Sequence, residues 1–253
     1  MKQAIKFFAP AACLLAIGCG GTHSASITFP FVRVFNGIEG FPSVAVQFHD
    51  LSANLLATSP QVLLGAANAL PDSNFVYTLG TATVLDNNGN PLFAGASVQY
   101  AQNNKYTVVA CGGSATYETV VLTDSEVAGS AGTVYLRFVD AAALANAAGP
   151  VDVYVLPAGT ASVPGGTAPK IAGLKYATIP AAANGAGVDG NGYLAMADGG
   201  ATTFSVIFTA SGSTTPLFPA QAVTVADGAY YTDVMYDTAT AGVQSATLLA
   251  DKR

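Results

Sequence analysis

Beyond residue 27 the chain is a succession of short apolar or alternating runs separated by Gly, Pro, Asn and Asp. FVRVF at 31–35, VAVQF at 44–48, FVYTL at 75–79, YTVVA at 106–110, VYLRFV at 134–139, VDVYV at 151–155, FSVIF at 204–208 and AQAVTV at 220–225 are of strand length and rich in β-branched and aromatic residues. Their period is two rather than 3.6, which sends successive side chains to opposite faces of a sheet. Only the Ala-rich stretches 59–70 and 141–148 have helical propensity, and an alanine face buries too little to hold more than a short helical turn. The pattern predicts an all-β fold.

The runs recur in order. FVRVFN at 31–36 followed by VAVQF at 44–48 parallels YLRFVD at 135–140 followed by VDVYV at 151–155. Late in each half, YTVV at 106–109 leading to VLTD at 121–124 answers YTDV at 231–234 leading to LLAD at 248–251. This predicts a duplicated module: two tandem immunoglobulin-like β-sandwiches, one over 27–125 and one over 130–253, joined through the small, polar segment 125–132. Each half carries a complete set of strand signals, so the halves are expected to fold separately.

The first residues follow a different pattern. A short basic start, MKQAIK, leads into an apolar run over 7–18 that is too short to cross a bilayer as a helix, which needs ~20 apolar residues. The run ends in LAIGC at 15–19, which resembles the lipobox of bacterial lipoproteins, with Ala16 where that motif prefers Leu. The resemblance implies a signal peptide over 1–18, cleavage before Cys19, and a diacylglycerol on the Cys19 thiol. Residues 19–26, rich in Gly, Ser and Thr, then read as a flexible tether. Gly20 after the cysteine resembles the signal for transport to the outer membrane. The expected location is therefore the bacterial cell envelope, with the folded part held to a membrane by its lipid anchor. Lipidation of Cys19 would leave Cys111 without an intramolecular partner.

Composition narrows the functional classes. Of 253 residues, 51% are hydrophobic and 9% charged, with 27 Gly, 13 Pro, 3 Cys and no Trp, which excludes a disordered polyampholyte and a disulfide scaffold. A formal net charge of -6 offers no basic footprint for nucleic acid.

Candidate chemistry is sparse. DNNGN at 86–90 groups oxygen ligands around a glycine, as a calcium loop does, and DGNG at 189–192 is a poorer relative; neither has the distal acidic residue such loops use. Asn-Gly between two apolar runs is equally a hairpin turn, the preferred reading. His49 and Asp50 are neighbours on a strand and so face opposite ways, which argues against a catalytic pair. His23 falls in the tether, so His49 is left without a second histidine for a metal site. Arg33 and Arg137 occupy equivalent strand positions and read as buried polar pegs, with Asp140 and Asp152 as candidate partners of Arg137. Cys111 reads as a small buried hydrophobe. Glu118, Asp124 and Glu126 are scattered carboxylates that a glycosidase would pair, but the chain lacks the Trp on which sugars usually stack.

An opening strand with V-R-V, then V-D-V-Y-V, then Y-T-V-V-A-x-G closing the module resembles the bacterial domain of unknown function 4397, found in exported and lipid-anchored proteins. Arg33, Arg137, Val151 to Val155 and Tyr106 to Gly112 carry the likeness across most of 28–253. VAV at 44–46 lacks the Asp, and YTDVMY at 231–236 departs from the closing motif. The resemblance implies a β-sandwich and supplies no activity. The reading is a non-catalytic binding or structural module, with no catalytic residues, cofactor or metal, whose partner is an envelope protein, a surface polymer or a second copy of itself. An envelope hydrolase acting on polysaccharide is the alternative.

Overall fold

In the first half the strands are β1 (Phe31–Ile38), β2 (Ser43–Asp50), β3 (Leu55–Thr58), β4 (Val62–Leu63), β5 (Ala67–Ala69), β6 (Leu79–Leu85), β7 (Pro91–Gln99), β8 (Lys105–Gly113) and β9 (Thr116–Asp124). The second half holds β10 (Thr133–Asp140), the single turn α1 (Ala143–Asn146), β11 (Val151–Pro157), β12 (Ile171–Leu174), β13 (Leu194–Ala197), β14 (Thr203–Ala210), β15 (Gln221–Thr224), β16 (Tyr230–Asp237) and β17 (Gln244–Ala250). The structure is a computed structural model that describes residues 30–70, 79–101, 104–113, 116–124, 128–146, 149–200 and 202–251. The expected signal peptide over 1–18, Cys19, the expected tether over 19–26, most of the 75–79 run, Glu126 and the start of the 125–132 join lie outside the described residues.

Four sheets result. In the first half β5-β1-β8-β9 faces β3-β2-β6-β7, with β4 also pairing β2; in the second, β13-β10-β16-β17 faces β12-β11-β14-β15. The fold is an all-β sandwich arrangement, and the pairing order of one half is repeated in the other. Each half has one parallel pair, β1 with β8 and β10 with β16.

The sheets containing β1 and β10 also pack on each other, so they are buried on both faces. Along β1, Val32, Val34 and Ile38 point into the first sandwich while Phe35 points across to the second half; along β8, Tyr106, Val108 and Ala110 point inward while Val109 and Cys111 point across. The same division holds on β10, where Val134, Leu136 and Phe138 fill the second sandwich and Val139 faces the first half. This double burial explains why these runs read as continuously apolar instead of cleanly alternating. Between the halves lies a core of its own, in which Phe35, Val109, Cys111 and Leu122 meet Val139, Tyr176, Val234 and Leu249. The expectation of separately folding halves did not include such a layer.

Both sandwiches point the same way. Arg33, near the start of β1, donates to the Ala250 carbonyl. Ala250 pairs with Tyr231 at the start of β16, which in turn pairs with Leu136 near the start of β10. The beginnings of β1, β8, β10 and β16 thus share one end of the molecule, here the near pole.

The Ala-rich stretch at 59–70 forms β4 and β5 rather than helical turns. Ala67, Asn68 and Ala69 pair with Phe35, Val34 and Arg33, and this ladder overrides alanine's local preference for helix. The other Ala-rich stretch does supply the single turn α1, capped by Asp237, whose carboxylate accepts from the Leu144 N–H at 2.8 Å.

Candidate functional site

The densest polar constellation among the described residues sits inside the joint between the halves. Arg33 donates to Thr107 Oγ1 at 2.6 Å in its own half and to the Ala250 carbonyl at 2.7 Å and the Asp251 carboxylate in the other. Arg137 donates to Thr232 Oγ1 at 3.0 Å in its own half and to the Thr123 carbonyl at 2.9 Å and Asp124 at 2.6 Å in the other. The hydroxyls complete the set: Thr107 donates to Asp124 at 2.8 Å and Thr232 to Asp251 at 2.7 Å. Cross pairs of 3.6 Å, Arg33 to Asp124 and Arg137 to Asp251, close a ring of two guanidiniums and two carboxylates. Arg137 also lies over the Tyr193 ring at 4.3 Å, and the Tyr193 hydroxyl donates to Asp251 at 2.8 Å.

The ring is neutral in sum, which lets four charged groups sit where the Arg137 side chain is 0% and Arg33 13% exposed. Burial and the neighbouring Asp251 push the Asp124 carboxyl up, while Arg33 and Arg137 pull it back down. Every polar atom named here bonds to another in the ring or to backbone, so the arrangement is a clamp. Asp140 and Asp152 are not the partners of Arg137. Asp140 instead accepts from the Ala142 N–H, and Asp152 from the Gly173 and Gly212 N–H groups. Residues 137 and 140 on one strand have opposite parity, which turns their side chains to different faces.

The other sequence candidates also have structural work. Asp86 accepts from Asn88 N, Asn90 N and Asn90 Nδ2 at 2.8, 2.8 and 3.0 Å, closing the β6–β7 hairpin, and these bonds hold its carboxyl below the usual range. Asp189 holds the N–H groups of Asn191 and Tyr193 in the same manner. Asp50 accepts from Ser52 N, Asn54 N and Asn54 Nδ2 and does not orient His49. No group of three or more His, Cys, Asp or Glu among the described residues could hold a metal ion. Cys111 lies wholly inside the core between the halves, donating to the Val109 carbonyl, and burial pushes its thiol well up, so it is poorly nucleophilic.

Asp140, which the sequence offered only as a partner of Arg137, and Asp233, which it did not single out, are carboxylates buried without a cation among the described residues. Asp140 is pushed up to about 7, chiefly by burial, and its second oxygen has no partner. Asp233, inside the second sandwich, is also raised to about 7 by burial, with the Gln221 amide as its one compensating bond. Thr107, Thr232 and Asp251 were missed as well. The signal was present, as a polar residue recurring at the same place in YT and in TD or AD at the ends of the repeated runs.

At the near pole a cavity of about 330 Å³ opens between Ala128, Ala226, Tyr230, Tyr231 and Ala250, with Asp251 in its wall. Tyr230 stacks on Tyr135 with 4.3 Å between centroids and meets Tyr193 edge-on at 5.0 Å. Its polar groups are already engaged: the Tyr231 hydroxyl accepts from the Ala226 N–H and Asp251 belongs to the clamp. A second hollow of about 470 Å³ lies beside β13, lined by Lys170, Leu194 and Met196. It brings no carboxylate near the lysine.

Residues 30–154 match the family described as Domain of unknown function (DUF4397). This takes in the first half and the opening strands of the second, less than the span over which the motifs recur. No curated protein matches the chain. Among solved structures, a family 26 carbohydrate-binding module of Eubacterium rectale Amy13K, in complex with maltoheptaose, is 11% identical over 87% of this chain and 95% of that one, with a TM-score of 0.24. A candidate cell adhesion protein of Bacteroides eggerthii is 10% identical over 88% and 95% of the two chains, with a TM-score of 0.23. A candidate adhesin of Bacteroides ovatus is 8% identical over 83% and 89%, also at 0.23. Likenesses this distant assign neither fold nor ligand.

Proposed function

We propose that the chain is a lipid-anchored protein of the bacterial cell envelope whose folded part is a non-catalytic binding or structural module. The observation that carries this reading is the use to which the reactive side chains are put. Acid–base chemistry at neutral pH needs an accessible group tuned near 7, and nucleophilic chemistry needs a base beside the nucleophile. Here Arg33, Arg137, Asp124 and Asp251 are locked into one another, Asp50, Asp86 and Asp189 close turns, and Cys111 is sealed between apolar layers. Asp140 and Asp233 have the tuning but lie at 0% exposure, beyond the reach of a substrate. A layered body carried on the tether that the sequence predicts suits presentation of a surface to an envelope protein or polymer.

The anchor half of the reading rests on the basic start, the apolar run and LAIGC at 15–19. Cys19→Ala should abolish incorporation of labelled fatty acid; normal incorporation in that variant would end the claim. The binding half is tested by crosslinking in intact cells, with partner capture by the wild-type chain compared with capture by His49→Ala, Asp86→Ala and Cys111→Ser. All three variants should retain capture when folded and anchored. If one of them abolished the protein's cellular effect while remaining folded, the envelope hydrolase would become the better reading.

A further inference from the structure

The near pole is the end at which the predicted tether enters; its β2–β3 turn carries no charged side chain, and Lys105 is the register partner of Phe31 beside it. The β2–β3 turn, Leu51 to Leu55, is exposed throughout; Leu51 is 68% and Leu55 55% exposed, and Phe31, the first residue of β1, is 41% exposed. The two sites share a pole because the end of β2 and the start of β1 are bridged by rings. Phe48 meets Tyr100 at 5.9 Å, Tyr100 meets Tyr106 at 5.1 Å, and Tyr106 pairs with Val32. The one carboxylate at the base of the tip, Asp50, is turned onto the turn's own N–H groups. What the tip presents is Leu, Ser, Ala, Asn, Leu. Exposed leucines at a hairpin tip are ordinary when single, but a set gathered at one pole marks a contact surface.

We propose that this pole rests on the bilayer to which the chain is anchored, with Leu51, Leu55 and Phe31 dipping into the headgroup–acyl boundary. The proposal rests on the lipid anchor at Cys19. Between Cys19 and Pro30 there are only residues 20–29, so even a fully extended link of that length holds the pole within about 35 Å of the membrane. A tether of that length keeps the tip at high effective concentration near the surface, where even weak apolar insertion is populated. The contact is apolar, in keeping with a chain that carries a net negative charge, and it should not weaken in high salt.

The absence of Trp from the sequence makes the test direct. Full-length lipidated protein carrying Leu51→Trp, Leu55→Trp or Leu63→Trp is reconstituted into zwitterionic vesicles of phosphatidylcholine and phosphatidylethanolamine, with and without bromine on the acyl chains. Leu63 is 66% exposed but pairs with Ser43 at the far end of β2, so it serves as the reference. The expected result is emission from the position-51 and position-55 indoles more than halved by brominated lipid, equally at low and high salt, with the position-63 indole unaffected. Quenching at 51 no greater than at 63 would overturn the proposal. So would a blue shift at 51 that follows protein concentration without bromine quenching, which would assign the tip to a second copy. Flotation separates the two claims: a wild-type chain that does not float with vesicles refutes the anchor and the docking together, whereas one that floats without quenching at 51 refutes the docking alone.

Discussion

Removing Arg137 should cost more than any other single side-chain change in the joint. Its side chain is 0% exposed, and Asp124 and Asp251, its partners in the ring, are 4% and 0% exposed. Arg137→Met keeps the aliphatic stem but leaves two buried carboxylates sharing Arg33, and breaking a buried pair from one side typically costs ~3–5 kcal/mol. Against a usual total of ~5–15 kcal/mol, that is about a fifth of the stability or more. For a chain of this length it corresponds to a Tm lower by roughly 10 °C. Adding Asp124→Leu removes the stranded charge and leaves Arg33 with Asp251 as a balanced pair, so the double variant should be more stable than Arg137→Met alone. Urea unfolding followed by circular dichroism supplies all three numbers, and the wild-type chain should unfold in one transition because the clamp and the intervening core couple the halves. A loss below about 1 kcal/mol for Arg137→Met, or a double variant weaker than the single one, would refute the reasoning.

Two further outcomes follow from buried groups. Asp140 and Asp233 have folded-state values near 7 against a usual 3.8, so the folded state holds their protons more tightly than the unfolded state does. Their stabilising effect is complete below about pH 4 and is lost as pH rises through 7; each accounts for up to ~4 kcal/mol. Half-buried Asp50 and Asp86 act in the opposite direction, losing their contribution as pH falls through their lowered values, so the stability maximum should lie near pH 4. Asp233→Asn should flatten the fall between pH 5 and 8, as read by Tm across buffers; a Tm that rises across that window would contradict the assignment. Gly65 adopts φ +70° and an added Cβ would overlap the Tyr236 ring of the other half, so Gly65→Ala should cost roughly 2–4 kcal/mol in the same urea assay. A neutral result there would mean that the halves separate easily at that point.

How much of this was legible can be judged from particular residues. The strands of the repeat were readable because their β-branched period of two is a local property, and the Asp86 hairpin because its turn chemistry is local. Arg33 and Arg137 stood out as charges in apolar strands, but their partners lie up to 218 residues away and across the joint. Asp251 is marked only by its place in the repeat, where LLAD at 248–251 answers VLTD at 121–124, and nothing there says that it reaches across to Arg33. The pairing of Arg137 with Asp140 was suggested by nearness in sequence, and strand parity already opposed it. The strands at 62–63 and 67–69 were hidden by alanine, whose helical preference gives way where a neighbouring strand offers a ladder. The apolar runs held one clue to the inner layer that went unread. YTVVA and VYLRFV are too continuously apolar for sheets with one wet face, and only a second buried face accounts for them.

The clamp has a consequence for the halves taken singly. Each half supplies one Arg, one Thr and one Asp at equivalent places, and each Arg bonds the Thr of its own half and the Asp of the other. The two joining faces are therefore nearly self-complementary, as in an isologous contact, although they belong to one chain. A first half alone, residues 27–126, would expose Phe35, Val109, Cys111 and Leu122, all of which lie in the core between the halves. It would keep Thr107 beside Asp124 but lose the carboxylate that Arg33 reaches across the joint. A second copy offers Asp124 in place of Asp251 and an apolar face of similar composition, so the isolated half should self-associate through this face. Sedimentation equilibrium at micromolar concentration should find dimers, and Arg33→Glu should return them to monomers by placing acid against acid. A monomeric first half as stable as the whole chain would show that the face needs no cover, and that the clamp aligns the sandwiches without stabilising them.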